Sequence, residues 1–220
     1  RRTTPTVSLV GDAAITLREL TTKITKRTSQ EGPTRAQTWR NHARAKTNAK
    51  FVPWLKAIED NLPSNAIVAL DSTQLAYSAH WWLPATHARS WLAPYGFGTL
   101  GCALPMAIGA SVAAPDRPVL AIAGDGGWLF TVAEMASAVD LNSRIVLLLW
   151  DNHGYEQIRE SFDDVNAPQL GVDVSSHDAA AIARGFGWTT TQVDTPQQLS
   201  EALQIAFAAN APQFIRVLVK

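Results

Sequence analysis

Cysteine is nearly absent: the only one in 220 residues, Cys102, lies in an apolar stretch. One cysteine excludes an internal disulfide and a thiolate zinc cage, and it is the usage expected of a reducing, cytoplasmic setting. An excess of one charge is lacking too, since 19 basic residues balance 19 acidic ones. Without a global field nothing draws the chain electrostatically to nucleic acid or to an anionic membrane surface, and neither is expected as a partner. No run approaches the ~18 apolar residues that a membrane-spanning helix needs. The opening RRTTPTVSLV has no apolar signal-peptide centre. No internal repeat or low-complexity tract stands out. The chain also opens on Arg1 instead of methionine, as expected of a piece of a longer protein.

What is present is apolar material for a real core, 46% of the residues. Residues 1–20 hold a short apolar segment (Val7, Leu9, Val10), a turn at Gly11-Asp12 and a helical stretch ending near Leu20, too little to fold alone. Residues 21–35, SQEGP included, are polar without periodicity and read as an interdomain linker. The main domain is predicted over 36–220. One helix is predicted from about Thr34 and a second from Pro53, where the missing N–H costs nothing in a first turn. Trp54, Leu55, Ile58 and Leu62 mark its apolar face.

Strands are predicted near 66–70, 119–123, 145–150, 188–193 and 213–219, and helices near 101–113, 128–140, 177–185 and 196–209. VLAIAG and IVLLLW are apolar without alternation, as strands covered on both faces by helices must be. The predicted class is therefore α/β: a doubly wound, mostly parallel sheet with helices on both faces. In such sheets ligands bind at the carboxyl ends of the strands, here the loops after Gly124 and Trp150.

There VLAIA runs into Gly124-Asp125-Gly126-Gly127, with a helix predicted from about Trp128. A glycine turn between strand and helix lets backbone N–H groups approach an anion, and the positive end of the helix favours negative charge. Asp125, in the middle, would repel a phosphate unless a hard cation lies between them. The next predicted strand ends at Asp151-Asn152-His153-Gly154-Tyr155. Asn152 can offer an amide oxygen to a cation held by Asp125, and Gly154 a backbone carbonyl. Oxygen donors of this kind suit magnesium or calcium.

GDGGW, with 27 positions from Asp125 to Asn152, resembles the thiamine diphosphate motif that opens on GDG and closes on asparagine. The spacing encodes one strand-helix-strand unit. GFGTLGCALPMAIGA (96–110) is similar to that family's segment on the aminopyrimidine side of the cofactor, and DSTQLAY (71–77) to its first diphosphate loop. The resemblance extends over residues 50–220, and 1–20 look like the end of the family's central domain. It implies a C-terminal domain binding the diphosphate half of thiamine diphosphate. Gln74, the backbone of Leu75, Gly98, Thr99, Leu100, Gly126, Gly127, Asn152 and Tyr155 would contact the cofactor, with Leu100 as the apolar wedge that keeps it bent. Asp125, Asn152 and Gly154 would hold Mg2+.

Two positions depart from the family's commonest pattern: Asp151-Asn152 replaces two asparagines, and Gly127 stands where many members have serine. Plain structural readings exist beside the functional ones. Asp125 could merely cap a helix, and Leu100 could be an ordinary core leucine. His80, Trp81, Trp82, His87 and Trp91 could line a substrate pocket or, the favoured reading, pack against another domain. His153 is assigned no role, and Glu134 reads as a helix cap or subunit contact.

In the resembled family the cofactor's thiazolium attacks a 2-oxo acid and stores the electrons left when carbon dioxide departs. That needs a glutamate on a separate pyrimidine-binding domain, of the same or a second subunit, to which no segment here corresponds. The resemblance thus implies a homodimer or homotetramer for the full-length protein, no catalytic residue in this chain, and no activity of the chain in isolation. The motifs look most like 2-oxo-acid decarboxylases acting on guanidino-bearing or aromatic substrates. An acetolactate-synthase-like carboligase is the alternative, and a non-catalytic cofactor-binding module the alternative of another class.

Overall fold

The computed structural model of the chain describes residues 4–25, 31–175 and 177–219. It divides into two compact units, Arg1–Trp39 and Arg40–Lys220. In the first, helix α1 (Ala13–Lys23) is capped by Asp12, whose side chain accepts from the Ile15 N–H at 2.9 Å. α1 buries none of its residues, and Val7, Leu9 and Val10 are exposed without forming a strand. The predicted linker is helical at both ends. α1 runs three residues past Leu20, and α2 (Glu31–Ala45) starts ahead of Thr34, with Pro33 in its first turn, where proline is tolerated. Residues 26–30, the middle of that linker, lie outside the described residues.

The second unit holds a sheet of six strands: β1 (Ile67–Leu70), β2 (Trp91–Leu92), β3 (Val119–Gly124), β4 (Ile145–Asp151), β5 (Thr189–Val193) and β6 (Gln213–Leu218). All pairs are parallel, in the order β2-β1-β3-β4-β6-β5. This is the α/β class read from the sequence. The apolar runs explain it: along β4, Ile145, Leu147 and Leu149 enter one core while Val146, Leu148 and Trp150 enter the other. The first core is closed by α5 (Ala103–Ala113), α7 (Glu134–Asp140) and α9 (Ala179–Gly185), largely through alanines. The second is closed by α3 (Val52–Asn61), α4 (Gln74–Trp82) and α10 (Pro196–Ala208), through leucines and alanines together. The edge strand β5, TTTQV, is mostly exposed, which its polar side chains allow.

Four local readings are corrected. The stretch 128–140 is not one helix: α6 covers Asp125–Leu129, and α7 follows after a turn. α4 occupies what reads as a loop, because QLAYSAHWW is apolar on nearly every side and shows no helical period. α8 (Glu156–Asp164) was missed for the opposite reason, since EQIRESFDD buries nothing. Strand β2 has two residues, too few to leave a pattern.

From β1 the chain goes to β2 on one side of the sheet, and β3 lies on the other, so the winding reverses at β1. Ligands in open α/β sheets sit in the crevice at such a reversal.

Candidate functional site

A cavity of about 290 Å³ opens where β1, β3 and β4 end. Every residue expected at a cofactor or metal lines it except Leu75 and Thr99. Leu75 is fully buried in the leucine-rich core, and Thr99 is exposed outside the wall. The wall adds residues the sequence reading did not select: Ser72, Thr73, Tyr77, Glu156, Gln157 and Ile158. They belong to α4, α8 and the turn before α4, the same elements the hydrophobic pattern failed to reveal.

Asp125 is the first residue of α6, and Gly124, in extended conformation, takes the cap position with no side chain to donate to. The cap reading of Asp125 therefore does not hold. Its side chain is 3% exposed, and its Oδ2 accepts the Gly154 N–H at 2.8 Å. Burial first, and the neighbouring Asp151 second, push its pKa up to about 6. Asn152 turns its amide nitrogen toward Gln74 Oε1 at 3.5 Å.

Two glycines are required by close approach. A Cβ on Gly126 would stand 2.5 Å from the Tyr155 ring, so only glycine leaves Tyr155 its place beside the first turn of α6. A Cβ on Gly154 would stand 2.6 Å from the Val172 carbonyl oxygen, at a φ of +154°. The Gly154 N–H donates to Asp125, which brings the backbone of Gly154 against the expected metal ligand.

Sequence reasoning also passed over Asp71. It ends β1, is 2% exposed, and accepts the N–H of Ser72 at 2.7 Å and of Gly101 at 2.9 Å. Its carboxylate lies 3.1 Å from where a Cβ on Gly127 would be. Burial raises its pKa against the pull of those backbone donors. Asp71 thus joins three backbone stretches around the cavity: its own turn, the Gly96–Cys102 segment and the first turn of α6. The signal was present, a carboxylate placed directly after an apolar strand.

The aromatic and imidazole stretch is largely tied within the unit. The Trp82 indole donates to Glu59 at 2.9 Å beneath the Arg44 guanidinium, and Trp91 meets His80. Trp81 and His87 are exposed. Glu134 opens α7 and accepts from the Ser137 hydroxyl at 3.0 Å. His153 is exposed, its ring 3.4 Å from Asp151.

The donor set can be tested against a divalent ion. Among the described residues no group of three or more His, Cys, Asp or Glu side chains could hold a metal. A metal here would have one carboxylate and otherwise neutral oxygens, leaving positions for phosphate oxygens and water, as magnesium prefers. A buried carboxylate whose pKa is pushed up by burial and by a second carboxylate is short of positive charge, and a cation would supply it.

A family model described as the C-terminal TPP-binding domain of thiamine pyrophosphate enzymes matches residues 71–217. The chain belongs to this family. It is similar to a probable 2-ketoarginine decarboxylase of Pseudomonas aeruginosa, 35% identical over 96% of this chain and 39% of that protein. It is similar also to a catabolic acetolactate synthase of Raoultella terrigena, 28% identical over 100% of this chain and 41% of the relative. The chain thus spans about two fifths of the length of these relatives. Among solved structures it resembles a thiamine diphosphate-dependent 4-hydroxybenzoylformate decarboxylase of Rhodococcus jostii, with a TM-score of 0.70 and 29% identity, over 76% of this chain and 32% of the other.

Proposed function

We propose that this domain binds the diphosphate half of thiamine diphosphate through a magnesium ion, as part of a larger enzyme that decarboxylates a 2-oxo acid. The observation that carries the reading is Asp125, a buried carboxylate with no cationic partner among the described residues, at the mouth of a cavity where the sheet's winding reverses. Asp125, the Asn152 amide oxygen and the Gly154 backbone carbonyl would hold the ion. The backbone around Gly126 and Gly127 and the side chain of Gln74 would meet the diphosphate. Gly98 and Leu100 would support the cofactor's rings, and Tyr155 would close the wall beside α6. Bound there, the cofactor supplies an electron sink for the pair released when carbon dioxide leaves the substrate. The chain's own residues bind, bend and orient it.

The activating glutamate and most of the substrate pocket are assigned to a pyrimidine-binding domain of the same or a second subunit, in a homodimer or homotetramer working in the cytoplasm. Similarity to a 2-ketoarginine decarboxylase and a 4-hydroxybenzoylformate decarboxylase supports a 2-oxo acid with a guanidino or aromatic side chain. Similarity over the whole chain to an acetolactate synthase supports the second reading, a carboligase. The test of cofactor binding is titration of the chain with thiamine diphosphate, with and without magnesium. Tight binding only with the metal is expected, and binding indifferent to magnesium, or none, refutes the assignment. Product analysis of the full-length enzyme with pyruvate separates acetolactate from an aldehyde.

A further inference from the structure

Three side chains outside the cofactor cavity form a closed hydrogen-bonded triangle. Trp91 Nε1 lies 2.9 Å from Tyr95 Oη and 3.1 Å from His80 Nδ1, and Tyr95 Oη lies 3.1 Å from His80 Nδ1. The rings support the contact, with the His80 centroid 5.5 Å from that of Trp91 and 5.3 Å from that of Tyr95. Elementary donor and acceptor chemistry orders the protons. An indole N–H only donates, so Tyr95 Oη accepts from Trp91 over the shorter distance and passes its own O–H to His80. Nδ1 of His80 must then carry a lone pair, and the neutral ring keeps its proton on Nε2. Burial lowers the pKa of His80, which favours that neutral ring.

Two of the three residues come from elements that build different parts of the cavity wall. His80 is on α4, whose Gln74 and Tyr77 line the cavity. Trp91 is on β2, in register with Val68 of β1. Tyr95 lies in the segment leading to Gly98 and Leu100, which also line it. That segment is braced by the Gly98 N–H donating to the Pro94 carbonyl at 2.7 Å, and by the Ser72 hydroxyl donating to the Gly98 carbonyl at 3.1 Å. Among the hydrogen bonds of this region, the triangle is the one that joins the body of α4 to the segment's start. We infer that His80, Trp91 and Tyr95 are positioning residues: a latch that holds the Gly98–Leu100 segment at a set distance from α4, and so sets the seat of the cofactor's rings. This role rests on the cofactor reading above.

Tyr95 is 73% exposed, so removing its hydroxyl alone leaves the core untouched. The full chain and its Tyr95→Phe, His80→Phe and His80→Asn variants are titrated with thiamine diphosphate in the presence of magnesium. A neutral hydrogen bond of ordinary net strength corresponds to an affinity loss of about three- to tenfold, expected for Tyr95→Phe and His80→Phe. His80→Asn offers an amide oxygen as acceptor in place of Nδ1 and is expected to restore binding to within about twofold. A role in packing alone predicts the reverse, because phenylalanine keeps the ring volume and asparagine does not. Binding by the unaltered chain that Tyr95→Phe leaves unchanged overturns the latch and spares the cofactor reading; no binding by the unaltered chain overturns both. Independently of any cofactor, nitrogen-15 NMR of the free chain should show the proton of His80 on Nε2, and a proton on Nδ1 overturns the latch.

Discussion

β3 and β4 end side by side, in register at Gly124 and Trp150, and just beyond that point each delivers a buried aspartate: Asp125 from the first, Asp151 from the second. The two carboxylates have opposite fates. Asp151 is paired with Arg216 of β6, at 2.6 Å and 2.7 Å from two guanidinium nitrogens. Asp125 has a backbone N–H and, among the described residues, no guanidinium or ammonium, and its pKa rises to about 6. Burying a carboxylate is costly unless a positive charge accompanies it. Among the described residues the fold neutralises one of the pair with its own side chain and leaves the other without a cation. That contrast is what the proposed metal site draws on.

The largest effect that would break this contrast is loss of the internal pair. Arg216→Ala leaves Asp151 buried and uncompensated, so a loss of about 3–5 kcal/mol in unfolding free energy is expected by urea titration. A loss below about 1 kcal/mol would mean that Asp151 needs no partner. Asp125→Ala should do the opposite to each property: magnesium-dependent thiamine diphosphate binding falls by at least about a hundredfold, roughly 3 kcal/mol, while the metal-free melting temperature does not fall. Unchanged affinity removes Asp125 from the metal site. Gly126→Ala pushes a methyl group into the Tyr155 ring and should cost about 1–3 kcal/mol, read as a lowered melting temperature. A neutral result would mean that Tyr155 swings away freely.

The smallest effect concerns pH. A folded-state pKa raised above the unfolded one means that the folded chain binds the extra proton, so stability falls as pH rises from about 4 to about 6. Asp71, raised in the same direction, adds to the slope. The metal-free domain should therefore melt higher near pH 5 than near pH 7. With magnesium and thiamine diphosphate that order should reverse, because protonation of Asp125 competes with the metal. Identical slopes with and without the ligands would sink the idea that Asp125 carries both behaviours.

Much of the sheet was legible because its strands are buried on both faces and so read as unbroken apolar runs. β3 and β4 were located within a residue or two. Helices with one apolar stripe, such as α10, were equally plain. α4 and α8 were not, since α4 is apolar nearly all round, and α8 offers only Ile158 and Phe162, four positions apart, as a short apolar stripe in an otherwise polar stretch. GDGG and Asn152 pointed to the loops that line the cavity. What the motif did not show is that Gly126 also makes room for Tyr155 and that the Gly154 N–H donates to Asp125. Asp71 went unselected because its partner N–H, on Gly101, lies 30 positions downstream and becomes a neighbour only on folding.

The sequence by itself determined the class of the sheet, the two loops that line the cavity and the family to which the chain belongs. These are local properties, written in hydrophobic runs and in the spacing of one strand-helix-strand unit. Only the tertiary structure decided which carboxylate is neutralised internally, which glycine yields to which side chain, and that His80, Trp91 and Tyr95 meet. Each of those depends on distances between segments far apart in the chain, where packing and the electrostatics of burial act without leaving a periodic trace.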